Sequence, residues 1–158
     1  FPVRPNRFVV PLNGDNMSVF SKASKFRHRI VWSLPPIIHE DRLEWYGRAV
    51  MKLRRAGIED FQLGHCAQAG LFAFERKRSG VPACRMYGDY TLNILNSAAL
   101  RAAQDLGLTG IQCSLETDSR NMAAALGVFS ASRPRRGSNS SRMKIGMLAY
   151  GRPPLFTA

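Results

Sequence analysis

The chain predicts an α/β domain built from repeated βα units on a mainly parallel sheet, and three observations carry that reading. Short apolar runs fall at 8–12, 30–34, 61–63, 83–86, 111–114 and 145–149, at intervals of roughly 25 to 35 residues, the size of a strand with its crossover helix. Between them, apolar residues recur at helical period. Two segments also repeat one construction: Arg54-Arg55-Ala56-Gly57-Ile58-Glu59-Asp60-Phe61-Gln62 and Gln104-Asp105-Leu106-Gly107-Leu108-Thr109-Gly110-Ile111-Gln112. Each ends a helix, stops it with glycine, adds one aliphatic residue, turns tightly and enters a strand. Alternation of this kind implies parallel strands joined by right-handed crossovers. The spacing suits a partial (β/α) barrel and an open doubly wound sheet equally.

Taken in order, the run 8–12 ends at Asn13-Gly14-Asp15, a turn signal, and a basic stretch at 22–29 leads into the run 30–34. Leu43, Tyr46, Val50 and Leu53 then mark a helix closed by Gly57, where the left-handed conformation excludes a Cβ. After the run 61–63, a short helix precedes the basic loop Arg76-Lys77-Arg78-Ser79-Gly80. Leu95, Ala98, Ala99, Ala102 and Leu106 mark a second helix, closed by Gly107, and both stripes are expected to pack on the sheet. A last helix runs to Leu126. The Ser-, Arg-, Gly- and Asn-rich segment 131–142 reads as a flexible basic insert before the final strand.

Composition bounds the function classes. The 158 residues, 45% of them hydrophobic, can bury one sizeable core, so a single domain over 1–158 is expected. No apolar run approaches the ~20 residues of a membrane span. Phe1-Pro2-Val3-Arg4-Pro5 has no signal-peptide character, and the chain reads as a fragment of a longer, cytoplasmic protein. The net charge is +12. Part of it sits in Arg133, Arg135, Arg136, Arg142 and Lys144, but a basic excess survives without them, which makes RNA or DNA a candidate partner class. Cys66, Cys84 and Cys113 form no CxxC pair, so neither a zinc ribbon nor a thioredoxin-type site is indicated, and no metal ligands are assigned.

In parallel α/β folds the C-terminal ends of the strands form the functional rim. The expected rim holds Pro35, Pro36, His39 and Glu40 after the second run, and Gly64, His65 and Gln68 after the third. Asp89, Tyr90, Asn93 and Asn96 follow the fourth, Glu116, Thr117 and Asp118 the fifth, Tyr150 and Arg152 the last. Asp89, Glu116 and His65 are the candidate proton-transfer groups. Tyr90, Asn93, Asn96, Tyr150 and Arg152 are the candidate substrate-binding groups, with Arg152 as an anion clamp. Simpler roles compete: Thr117 or Asp118 as a helix cap, Glu40 and Asp41 as partners of a helix dipole, Asn93 and Asn96 as turn residues. His65 and Cys66 are adjacent on an extended segment, so their side chains diverge and a direct dyad is not expected. The HExxH, GxSxG, P-loop and GxGxxG motifs are all missing.

Three stretches carry a family likeness: Trp32-Ser33-Leu34-Pro35-Pro36-Ile37-Ile38, Tyr87-Gly88-Asp89-Tyr90-Thr91-Leu92-Asn93-Ile94-Leu95-Asn96-Ser97, and Tyr150-Gly151-Arg152-Pro153-Pro154-Leu155. From about Val31 to Leu155, interrupted after Phe129, the chain resembles the collagenase-like peptidase family of unassigned catalytic type, U-32. The resemblance implies a partial TIM-like barrel. It also implies proteolysis, or oxygen-independent hydroxylation of RNA bases or quinone precursors, on an RNA or polypeptide substrate. Hydroxylating members hold an iron–sulfur cluster on cysteines that follow the Tyr-Gly-Arg-Pro strand, beyond the end of this chain, so Cys66, Cys84 and Cys113 are not assigned to it. Oligomeric state is left open. A non-catalytic RNA-binding or scaffold module, or an inactive fragment, is the alternative.

Overall fold

Each strand of the computed structural model is short, three or four residues, and β1 to β5 are each followed by a helix or turn that carries the chain back. The structure describes residues 5–20, 24–73, 84–131 and 143–149. Along them run β1 (Phe8–Pro11), α1 (Gly14–Val19), a 3-10 turn (Ser24–Arg29), β2 (Ile30–Ser33), α2 (Glu40–Arg55) and β3 (Asp60–Leu63). A 3-10 turn (Cys66–Ala69), α3 (Gly70–Ala73), β4 (Arg85–Gly88), a 3-10 turn (Tyr90–Leu92), α4 (Ser97–Asp105), β5 (Gly110–Gln112), α5 (Ser119–Ala131) and β6 (Lys144–Gly146) complete the order. Every expected apolar run contributes a strand. The basic loop 76–80 and the insert beyond Ala131 lie outside the described residues.

All five pairings are parallel, and the sheet order is β1-β2-β3-β4-β5-β6. That order separates the two windings that spacing left open. A doubly wound sheet reverses its strand order at a switch point, whereas here each strand pairs with the next in chain order. Among the described residues no ladder joins β6 back to β1, so the sheet is an open run of βα units.

The repeated construction at Gly57 and Gly107 is a matched pair of helix stops. Gly57 (φ +83°) and Gly107 (φ +85°) are both left-handed. Gly57 N–H donates to Arg54 O at 2.9 Å and Ile58 N–H to Leu53 O at 3.0 Å; Gly107 N–H donates to Gln104 O at 2.9 Å and Leu108 N–H to Ala103 O at 3.1 Å. This two-bond closure satisfies the last helical carbonyls and turns the following aliphatic residue inward, and Ile58 and Leu108 are both buried.

The core lies between the helices and one sheet face. Trp32, Phe61, Leu63, Met86 and Ile111 share a cluster with Ala49, Val50 and Leu53 of α2 and Leu100 and Ala103 of α4. Phe20 stacks edge-on against Trp32 at 5.6 Å between centroids, and Phe61 meets Phe72 at 5.0 Å, geometries that favour the ring quadrupoles. The expected stripe of α4 is corrected. The helix buries Leu100, Ala103 and Gln104, while Leu95 and Leu106 stand exposed just outside its two ends. In an alanine-rich helix the apolar period is weak, and Leu100, its one large apolar side chain, sets the buried face.

Candidate active site at the strand mouths

Beneath their apolar content the strands carry a second pattern. Asp60-Phe61-Gln62-Leu63 and Arg85-Met86-Tyr87-Gly88 alternate polar with apolar residues, which places the two kinds on opposite sides of the sheet. Register aligns the polar set: Ser33 lies opposite Gln62, Gln62 opposite Tyr87, and Tyr87 opposite Gly110. Trp32, Phe61 and Met86 are aligned likewise in the core. The sheet thus has an apolar face under the helices and a polar face turned away from them.

Asp89 continues the polar face at the C-terminal end of β4. Its N–H donates to Leu63 O at 2.9 Å, extending the ladder by one residue. Its carboxylate caps the Tyr90–Leu92 turn by accepting from Thr91 N–H at 3.4 Å, and it is hydrogen-bonded by the Gln62 side chain. Burial pushes the Asp89 pKa up. The Thr91 and Tyr90 N–H groups and the Gln62 side chain pull it back, and the net shift is upward. A half-buried carboxyl of this kind retains a proton more readily than an exposed aspartate, the property a general acid needs. Tyr90 is pushed up as well, by burial and then by the Asp89 charge.

Asn93 sits in the left-handed region (φ 52°, ψ 51°), a conformation asparagine tolerates, and its N–H closes the turn on Tyr90 O at 3.0 Å. Its Oδ1 accepts from the Ser114 hydroxyl at 2.7 Å, and Ser114 Oγ in turn accepts from Glu116 N–H at 3.2 Å. The buried Ser114 therefore gathers Asn93 and the backbone of Glu116 at the mouth of β5, while the Glu116 side chain is exposed.

His65 is tied to the same rim by backbone. Gly64 O accepts from Thr91 Oγ1 at 2.9 Å, linking the turn after β3 to the turn after β4. Gln68 is the keystone of that corner. Its Oε1 accepts from Gly64 N–H at 2.9 Å and His65 N–H at 3.2 Å, and its Nε2 donates to Pro35 O at 2.6 Å. The approach is close enough that a Cβ on Gly64 would lie 2.7 Å from Pro36 Cα. The His65 ring itself caps the following turn, Nδ1 accepting from Ala67 N–H at 3.2 Å, so it is committed locally and not to Cys66.

Asn96 caps α4 through Oδ1, accepting from Ala99 N–H at 2.9 Å, and Asp118 caps α5, accepting from Asn121 N–H at 2.7 Å. Glu40 and Asp41 stand in the first turn of α2. Tyr150 and Arg152 lie outside the described residues. The arrangement therefore brings together Asp89, Tyr90 and Asn93, with the backbone of Glu116 joined to them through Ser114.

At the other end of the same polar face lies a group that apolar scanning missed. Asp60, 3% exposed, accepts from Arg85 Nε at 2.7 Å and Nη2 at 2.8 Å, from Tyr87 Oη at 3.0 Å and from Arg7 Nη1 at 3.3 Å. Burial acts to raise the Asp60 pKa, but the Arg85 hydrogen bonds, the Arg7 and Arg85 charges and the Tyr87 hydroxyl outweigh it and hold the carboxyl low. Gln62, Ser114, Asp60 and Arg85 were all legible only through strict two-residue alternation, not through apolar runs.

Among the described residues no three His, Cys, Asp or Glu side chains converge as a metal site. Cys66 is exposed, Cys84 half-buried and Cys113 buried. Burial pushes the Cys113 thiol up, as expected of a cysteine held in apolar surroundings. No protein-family model, curated protein or solved structure matches the chain.

Proposed function

We propose that the chain supplies the substrate-binding and proton-transfer rim of an enzyme related to the U-32 collagenase-like peptidases, acting on a polymer, with polypeptide as the first substrate class. The observation that carries this reading is the half-buried Asp89 carboxyl with its raised pKa at the mouth of β4. Peptide hydrolysis needs a proton delivered to the leaving amine, and a carboxyl whose pKa is raised by burial holds a proton for that delivery more readily than an ordinary aspartate. Asn93 spends its Oδ1 on Ser114, which leaves its Nδ2 to donate to a substrate carbonyl. Glu116 is the second acid–base candidate, with Tyr90, Asn96, Tyr150 and Arg152 as binding groups of the same reading.

Asp89→Asn tests it, because asparagine keeps the size and the capping oxygen and removes the proton. Cleavage of denatured collagen is expected to fall by roughly 100-fold or more. In the wild type, activity is expected to decline as pH rises through the raised Asp89 pKa, and that limb should vanish in the variant. Wild-type turnover by Asp89→Asn removes the residue from the mechanism.

A second reading, in which RNA is the polymer, is favoured by a basic row on α2. Arg48, Lys52 and Arg55 recur at helical spacing and are exposed. Arg27 reaches the end of that row, its Nη1 lying 3.8 Å from the Cβ position of Gly57. Phosphates bind such rows with release of counterions. On this reading the rim hydroxylates a base or only grips the strand.

A further inference from the structure

We propose that a cavity between α2 and the segment following β3 binds a small, neutral, apolar molecule with a hydrogen-bond acceptor, at a site that adjoins the rim through His65 and Gln68 but does not include Asp89. The cavity measures about 830 Å³ and is walled by Leu43, Gly47 and Met51 on one side and by Ala67, Gly70 and Leu71 on the other. That volume and an apolar wall are those of small-molecule sites. Asp89, Tyr90, Asn93 and Glu116 take no part in its lining.

The chemistry of the ligand follows from what the wall lacks and from what it keeps. Among the described residues no Lys, Arg, Asp or Glu lines the cavity, so no described side chain there compensates a charged ligand. Two polar side chains reach it, Gln68 and His65. Of the Gln68 amide, Oε1 is taken by the Gly64 and His65 N–H groups and one Nε2 hydrogen by Pro35 O, which leaves one Nε2 hydrogen. His65 uses Nδ1 as the acceptor for Ala67 N–H, which assigns the proton of the neutral ring to Nε2. What these two polar side chains have left to offer is N–H donors, and a carbonyl or ether oxygen on an otherwise apolar ligand is their complement.

Gly47 is the independent mark of a kept space. It lies inside the 16-residue helix α2, where glycine weakens the helix. Its φ is not positive, and a Cβ placed on it would meet nothing within 4 Å. Neither backbone conformation nor close packing calls for glycine here. What the missing side chain does is leave the cavity open on the α2 side, and Gly70 does the same opposite, again with open space at its Cβ position.

Prodan, a neutral naphthalene ketone whose emission moves to the blue in apolar surroundings, is the probe. Titrated into the purified chain it is expected to fill one saturable site. Gly47→Leu should abolish saturable binding while leaving the thermal unfolding midpoint at or above wild type, since the added Cβ is unobstructed and leucine is the better helix former. Gly47→Ala should bind more weakly than wild type with the same rise in midpoint. His65→Asn, which keeps a capping oxygen for Ala67 but withdraws the ring N–H, should weaken binding roughly fivefold. Asp89→Asn should bind the probe as wild type does, whatever its effect on catalysis. Non-saturable wild-type binding, or undiminished binding by Gly47→Leu, overturns the assignment, and weakened binding by Asp89→Asn overturns the exclusion of Asp89 from the site.

Discussion

Asp60 and Asp89 lie on one face of one sheet, and their surroundings drive their carboxyls in opposite directions. Asp60 is buried but surrounded by donors and cations, and its charge is favoured. Asp89 is desolvated with fewer and weaker compensations, and its proton is favoured. For Asp60, whose folded pKa is depressed, the stabilisation is present above the unfolded aspartate value and lost as pH falls through the folded value. Asp60→Asn is expected to cost on the order of 2 kcal/mol at neutral pH, below the full value for a broken buried pair because Arg7 and Arg85 are each 42% exposed. Urea unfolding at neutral and acid pH checks both the loss and its disappearance in acid. For Asp89, whose folded pKa is raised, the sign reverses: stability is full below the unfolded value and declines as pH rises through the folded one. Asp89→Asn should therefore be at least as stable as wild type at neutral pH, measured by thermal unfolding, even as it loses activity. Asp89 was legible in the sequence because a polar residue at a strand-to-helix turn stands out. His65 was legible as a rim residue, but its place in the wall of a cavity depends on α2, distant in sequence, and no local pattern carries that.

At the scale of the element, the two helix stops are the most legible part of the chain. Helix, glycine, aliphatic residue and strand form a local construction whose hydrogen bonds close within six residues, so sequence alone specifies it. Gly107→Ala is expected to destabilise the fold by about 1 kcal/mol, because a Cβ is forced into the left-handed region. A shift of the denaturant midpoint at unchanged slope would report this. Strand positions were legible from apolar content, but strand faces were not. Reading 83–86 as an apolar run concealed that Arg85 and Tyr87 point to the polar side. The α4 stripe failed for the matching reason: alanines at many positions carry little phase, and burial followed Leu100.

For the whole molecule, sequential parallel order decides the architecture. Spacing alone left a doubly wound sheet open, since strand order is a long-range property that interval lengths do not encode. The order leaves two unpaired edges among the described strands, and exposed Phe8 and Val9 lie along the β1 edge. The net charge of +12 acts at the same scale. If RNA is the polymer, affinity for a single strand should fall linearly in log–log with salt, at a slope of about −0.7 per phosphate contacted. Lys52→Ala with Arg55→Ala should flatten that slope, as read by fluorescence anisotropy; binding indifferent to salt would dismiss the basic row as an RNA contact.

On the proposed function, the strand mouth around β4 holds a carboxyl poised to keep its proton. Carbon-detected NMR titration of the side-chain carboxyls addresses it directly. Asp89 is expected to titrate above the ordinary aspartate value, with Asp60 below it in the same spectra. An Asp89 midpoint at or beneath the ordinary value would contradict this and take the proton-transfer role with it.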